Sequence, residues 1–199
     1  MQRHGGGSTI SGASPTPESL FAQLREELPE LATRFVDRVQ AGIKGYEPGA
    51  LVSYNDLHET AMTSIGLLLD SLNKGSPQEA LLSFAESLGR RRARQGVPVE
   101  SLSMALQTDF RLIWTRMLEI SSEDPEATLV LAHHVEPIWS IVETYSAVTL
   151  RFYRSEEAQL VEDRLNHRQI AIGRLLAFQD PSESSITWVS NELGCDAHG

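Results

Sequence analysis

Apolar side chains recur at intervals of three and four residues along most of the 199-residue chain, which is the spacing of amphipathic helices. No segment alternates apolar and polar residues for long enough to indicate a strand. The sequence therefore predicts an all-α domain of five to six main helices, with an antiparallel bundle or globin-like packing and a long C-terminal helix.

Proline and glycine mark the ends of the predicted helices. The first helix carries Pro29 inside its apolar stripe, so we expect it either to kink there or to split in two. The second begins near Ser53 and stops before Gly75, and the third ends at Gly96, an expected left-handed cap. The fourth, residues 99–120, is apolar on two adjoining faces, which is typical of a central helix.

The last helical stretch, residues 126–178, is too long for a compact domain. One straight rod would measure roughly 78 Å, whereas a compact chain of this length has a radius of gyration of about 16 Å. We expect it to break or to leave the core. After Tyr153 its apolar pattern narrows to a heptad-like stripe, interrupted by Arg168, that predicts pairing with a second chain. We call this stripe the C-terminal seam: Ala158, Val161, Leu165, Ile172 and Leu175.

These patterns divide the chain into four parts. Residues 1–16 are rich in Gly, Ser, Thr and Pro and predict a flexible leader. Residues 17–153 form the helical core domain, and residues 154–178 form a projecting helix or dimerisation stalk. Residues 179–199 have no closing element, and we interpret them as a linker toward a missing C-terminal domain.

Composition narrows the functional classes. The net charge of −10 argues against a general nucleic-acid-binding surface, which needs clustered positive charge, though not against a local basic patch. The single cysteine, Cys195, excludes an intramolecular disulfide and a cysteine-based zinc site and favours a cytoplasmic setting. No apolar run approaches the roughly 18 residues of a membrane span.

Four arginines precede the Gln-Gly-Val-Pro turn at residues 95–98. In a helix-turn-helix they would contact phosphate, but the helix that follows is too apolar to read base edges. They are better interpreted as charges that complement the end of a helix dipole and form salt bridges. The alternative is that these arginines bind an anionic ligand or partner. We call these residues the arginine cluster: Arg90, Arg91, Arg92 and Arg94.

Asp109 lies on the apolar stripe of the fourth predicted helix. An unpaired buried carboxylate is costly, so we predict that an arginine of the cluster binds it and locks the corner between the third and fourth helices. The alternative is that the helix is rotated far enough to expose Asp109.

The sequence offers little support for catalysis or metal binding. His133 and His134 are adjacent and diverge by about 100° on a helix, so they cannot chelate one metal together. One of these histidines as the axial ligand of a haem stays an alternative. The other interpretation is that both are ordinary core or surface residues. A set of aromatic residues at helical spacing fits either a small-molecule pocket or a core or dimer interface: Trp114, Trp139, Tyr145, Phe152 and Tyr153. Without a nucleophile motif or phosphate loop, we predict no enzyme, no metal site and no cofactor.

The run LGRRRARQGVPVESL at residues 88–102, with the helix around Trp114, resembles the N-terminal helical domain of actinobacterial PucR/CdaR-type transcription regulators. That domain is similar to the N-terminal domain of RsbR-type stressosome co-antagonists. The resemblance spans residues 17–177.

The resemblance implies a non-catalytic input and self-association domain with globin-like packing and no haem. Such a domain relays a ligand or partner signal through its last helix, as a homodimer without direct contact to nucleic acid or membrane. A stressosome-type protein adaptor is the alternative, followed by a DNA-binding helical module. The candidate ligand- or partner-binding residues are Arg90, Arg91, Arg94, Asp109 and Trp114.

Overall fold

The computed structural model describes residues 17–122 and 125–177, and the regular elements of these residues are seven α-helices. The predicted all-α class and the long C-terminal helix are confirmed. The predicted leader, residues 1–16, and the predicted linker, residues 179–199, lie outside the described residues. The helices are α1 (Pro17–Glu26), α2 (Leu28–Gly42), α3 (Tyr54–Lys74), α4 (Glu79–Arg94), α5 (Val99–Ser121), α6 (Pro125–His133) and α7 (Val135–Ala177).

Two breaks raise the number of helices above the predicted five to six. The first predicted helix splits at Glu27, and Pro29 falls in the first turn of α2, where its missing N–H is not needed. Arg116 of α5 holds Glu27 at this junction through two bonds of 2.6 and 2.8 Å. The last predicted stretch breaks at His134, between α6 and α7. Pro137 then lies in the first turn of α7.

The predicted turn signals fix the remaining helix ends. Ser53 caps α3, because its hydroxyl accepts a hydrogen bond from the backbone N–H of Asp56. Gly75 follows α3, and Gly96 lies in the corner between α4 and α5. Both have the left-handed backbone conformation that ends a helix, with φ of 67° and 73°. The short corner joins α4 to α5 in the chain, but α4 packs mainly against α7, and to a lesser extent against α3, rather than against α5.

The closest helix packing joins α4 to the first half of α7. Gly89 faces the backbone of α7 so closely that a Cβ there would overlap the carbonyl oxygen of Thr149 and lie 2.9 Å from the nitrogen of Tyr153. Tyr153 donates a hydrogen bond of 2.7 Å to the carbonyl of Val97 in the α4–α5 corner. These contacts fix α7 against the core as far as Tyr153.

Beyond Glu156 the same helix leaves the core. With 43 residues, α7 is about 64 Å long. From Glu157 to Gly173 its side chains are exposed apart from the half-buried Leu160 and the buried Ala171. The predicted long stretch therefore both breaks and leaves the core. None of the described helices is long and apolar enough to cross a membrane.

Candidate functional site

The arginine cluster occupies the last turns of α4 and binds acids on two other helices. Arg92 is buried, with 1% of its surface exposed. Its Nη1 lies 2.7 Å from Oδ2 of Asp56 in α3, and its Nη2 donates to Thr60 at 3.0 Å. Arg91 reaches the same two residues, at 3.2 Å from Asp56 and 2.8 Å from Thr60. These contacts tie α4 to the beginning of α3.

The surroundings of Asp56 stabilise the negative charge of its carboxylate. Its position in the first turn of α3 favours an anion, because the helix dipole is positive there. Gln95 donates to its Oδ2 at 2.7 Å. Burial acts to raise the pKa of Asp56, but the hydrogen bond from Gln95 and the charges of Arg92 and Arg91 outweigh it and leave that pKa below its ordinary value.

The other two arginines bind Glu156 of α7. Nε of Arg94 lies 2.7 Å from Oε1 of Glu156, and Nη1 of Arg90 lies 3.4 Å from Oε2. Glu156 is buried, and the hydrogen bond from Arg94 lowers its pKa against the effect of burial. Since α7 leaves the core just beyond this point, the arginine cluster ties α4 to the base of the projecting helix.

Asp109 is buried, with 3% of its surface exposed, but the predicted arginine partner is wrong. Its Oδ2 accepts a hydrogen bond of 2.9 Å from the hydroxyl of Ser64 in α3. The guanidinium groups are directed to Asp56 and Glu156 instead, acids that lie on other helices. Burial raises the pKa of Asp109 to about 7, against the lowering effect of Ser64.

Asp109 lines a small cavity of about 20 Å³ between α2, α3, α4, α5 and α7, which we call the central cavity; the residues that line it are buried. Its polar wall carries Tyr46, Thr60, Ser64 and Arg92, and Tyr145 closes it from α7. Oδ1 of Asp109 and the hydroxyl of Tyr145 are buried without a hydrogen-bond partner among the described residues. The volume suffices for about one water molecule.

Trp114 lies away from this cavity, in a surface groove of about 400 Å³ between α5 and α7. Phe110 stacks on Trp114 at a ring-centre distance of 6.1 Å and meets Trp139 at 4.9 Å. Tyr145 and Tyr153 belong to the core instead. The aromatic residues considered together in the sequence therefore divide between a groove and the core.

The C-terminal seam is exposed where the structure describes its side chains. Val161, Leu165 and Ile172 are 49%, 54% and 47% exposed, and Ala158 is exposed beside them. The side chain of Leu175 lies outside the described ones. Large apolar side chains at this level of exposure form an apolar patch on the surface of the projecting helix.

Sequence reasoning missed most partners of the predicted residues. Asp56 has a local signal, because an acid three residues after a serine cap is common at a helix start. Glu156, Ser64 and Tyr145 have none, since their roles depend on how helices distant in sequence pack. Of the two histidines considered, His133 is exposed on α6. No cluster of three or more metal-ligating side chains occurs in the part of the chain that the structure describes.

The comparisons with known proteins identify a family. The family model described as the RsbT co-antagonist protein rsbRD N-terminal domain matches residues 29–168. No curated protein and no solved structure matches the chain significantly. The matched segment begins in α2 and ends within the projecting part of α7, so it contains the arginine cluster, the central cavity and most of the seam. Because the match covers more than half of the chain, this protein belongs to the RsbT co-antagonist N-terminal domain family, a family of regulatory, non-catalytic domains.

Proposed function

We propose that this domain is the input and self-association module of a cytoplasmic transcription regulator, and that α7 relays its signal. The observation that carries the proposal is the C-terminal seam, whose apolar side chains are exposed on a helix that has left the core. Two such helices side by side would bury the seam as a short coiled coil. The actinobacterial PucR/CdaR-type resemblance of residues 88–102 supports the regulatory context.

The same helix would carry the signal because its two halves differ in packing. Its first half is held by the close contact at Gly89 and by the Tyr153–Val97 hydrogen bond. At its exit from the core, Glu156 is bound by the arginine cluster. A ligand or partner that favours one core packing would reposition α7, and with it the paired seams, provided that it binds the two arrangements with different affinity.

The test is the mass of the full chain in solution, measured by multi-angle light scattering at several concentrations. Leu165→Glu places a charge in the seam and should convert a dimer to a monomer. Ile170→Glu is the matched control, because Ile170 is also 54% exposed but lies on another face of α7. We expect it to leave the dimer intact.

A wild-type chain that stays monomeric at every concentration would contradict the proposal. So would loss of the dimer in both variants, since that outcome would show no preference for the seam. Circular dichroism of the three proteins checks that the helices are retained.

A stressosome-type protein adaptor is the second candidate function. The family name supports it, because it describes co-antagonists of another protein, RsbT. The groove around Trp114 and Trp139 also offers an apolar contact surface on the core. An adaptor would form a stable complex with another protein that persists in the Leu165→Glu variant and shows no small-molecule effect.

Nucleic-acid binding receives less support from the arginine cluster. Each of its four side chains is paired with an acid of the same chain, on α3, α4 or α7. Phosphate contacts would have to break these pairs. A salt-dependent affinity for duplex DNA would be the sign of such binding.

A further inference from the structure

Asp109 is a buried acid whose charge is not balanced by any described cation. Arg91 and Arg92 are bound to Asp56. Arg90 and Arg94 are bound to Glu156. An ionised Asp109 would therefore leave one negative charge in the middle of the core, which is costly unless a proton neutralises it.

The hydrogen bonds around Asp109 are incomplete on one side. The hydroxyl of Ser64 has one hydrogen and two acceptors within reach, Oδ2 of Asp109 at 2.9 Å and the carbonyl oxygen of Ala61 at 3.2 Å. Oδ1 and the hydroxyl of Tyr145 have no described partner, and both residues line the central cavity. A volume of about 20 Å³ beside two such polar atoms fits a single buried water molecule.

We propose that Asp109 is a protonation switch inside the core, in which one bound water links its carboxyl group to the hydroxyl of Tyr145 on α7. Its ligand is a proton. The carboxylate takes a proton from a hydronium ion of the solvent: one O–H bond forms at Oδ1, and one O–H bond of the hydronium ion breaks and leaves water. The neutral acid donates to the water, whereas the ionised acid accepts from it.

The groups facing the cavity leave Asp109 as the one that changes charge near neutral pH. Asp56 of α3 is held in ion pairs with Arg92 and Arg91 of α4, and its pKa lies below its ordinary value. Burial raises the pKa of Tyr46, in the loop before α3, to about 12. Burial and the charge of Asp109 raise the pKa of Tyr145 well above its ordinary value. Burial raises the pKa of Asp109 itself to about 7.

The switch would act on α7. Loss of the proton places an unbalanced charge between α3, α5 and α7. This charge favours an arrangement of the helices in which bulk solvent, and not only the bound water, reaches Asp109. Tyr145 lies on α7, so this arrangement differs in how the projecting helix is held. The inference deepens the proposed function by naming a proton as the input. Its test measures Asp109 itself, so it can fail while self-association stands.

The direct test follows the ¹³C chemical shift of the Asp109 carboxyl group in the full chain from pH 3 to pH 9, assigned with Asp109→Asn. We expect a single transition with its midpoint near pH 7. A midpoint near 4, the range of an ordinary aspartate, would overturn the proposal. This measurement uses the wild-type chain, so it does not depend on the folding of the variant.

The pH dependence of the protein's stability should also reflect the protonation of Asp109. The folded-state pKa of Asp109 is raised above its unfolded value, so the folded state binds more protons between about pH 4 and pH 7. The denaturation midpoint of the wild type should therefore fall as the pH rises through this window, relative to Asp109→Asn. Groups that titrate in both proteins cancel in the comparison. Equal pH dependence of the two proteins would overturn the proposal.

The link to α7 is tested with two tyrosine variants. Tyr145→Phe removes the hydroxyl that shares the water and should move the Asp109 midpoint to higher pH, because the carboxylate loses hydrogen-bonded support. Tyr153→Phe removes another buried hydroxyl of α7, whose partner is Val97 outside the cavity, and should leave the midpoint unchanged. An unchanged midpoint in Tyr145→Phe would overturn the link.

Discussion

At the scale of single residues, Gly89 decides how near α4 can approach α7. It lies in the middle of a helix, where glycine is normally unfavourable because it costs conformational entropy. The backbone of α7 at Thr149 occupies the space that a side chain would need. The cost in helix propensity is offset by a close contact between two helix backbones.

We predict that Gly89→Ala lowers the free energy of unfolding by about 3 kcal/mol, because the helices must separate to admit the methyl group. Gly66→Ala is the control. Gly66 is also within a helix, but a Cβ there would meet only Leu28 at an ordinary 3.6 Å. Its replacement should stabilise the protein by about 0.5–1 kcal/mol. Urea denaturation measures the change in the free energy of unfolding for both variants. Changes of the same sign would contradict the close packing of α4 on α7 at Gly89.

Arg92 is the buried member of the arginine cluster, and its removal should be costly. Arg92→Met keeps much of the side-chain volume but leaves Asp56 with less compensation, so we expect a loss of about 3 kcal/mol in the free energy of unfolding. Arg34→Met is the control, since the Arg34–Glu30 pair is more than half exposed. It should change the stability by less than about 1 kcal/mol. Similar losses in the two variants would show that burial of Arg92 adds nothing.

At the scale of elements, Glu156 marks the point at which α7 passes from a packed to an exposed helix. Among the described residues, its pairing with Arg90 and Arg94 is the last ion pair between the core and the projecting half. Loss of this contact should let the helix open locally at its exit while the core stays folded.

We predict that Glu156→Gln speeds amide hydrogen exchange roughly tenfold in residues 154–160, because the charge-assisted bonds are lost. Exchange in the core of α5 should stay unchanged. Glu162→Gln removes an exposed acid of the same helix, farther from the core, and serves as the control. Mass spectrometry of peptic peptides resolves the two regions. Equal exchange rates in residues 154–160 of both variants would contradict the role of Glu156 in holding α7 at its exit from the core.

The element scale also shows how far the sequence could predict the fold. Ser53, Gly75 and Gly96 gave correct helix ends because capping is a local property of the chain. The place of Asp109 on an apolar stripe allowed either burial or exposure, and the structure shows that it is buried. Its partner could not be predicted, because the helical period of α5 does not say which residue of α3 faces it. Neighbouring arginines likewise do not reveal that two point to α3 and two to α7.

At the scale of the whole molecule, the core and the projecting helix have different roles. The core is filled by the apolar faces of the described helices, with the central cavity as a small polar space in its interior. The arginine cluster joins α3, α4 and α7 beside it. Large apolar side chains are exposed on the second half of α7 and at Trp139 beside the α5–α7 groove. Under the proposed function, the input site and the contact surface therefore have separate places in the fold.

This arrangement predicts that the domain does not bind haem in its core. Pockets that hold ligands of drug or cofactor size measure about 300–1,000 Å³, whereas the central cavity measures about 20 Å³. A haem would have to displace packed side chains such as Leu57, Leu88 and Leu102. Added hemin should therefore give no increase in the thermal unfolding midpoint and no Soret band that depends on a histidine. The double variant His133→Ala/His134→Ala should match the wild type in a hemin titration followed by absorbance. A Soret band that is lost in this variant would show an axial histidine and contradict the prediction.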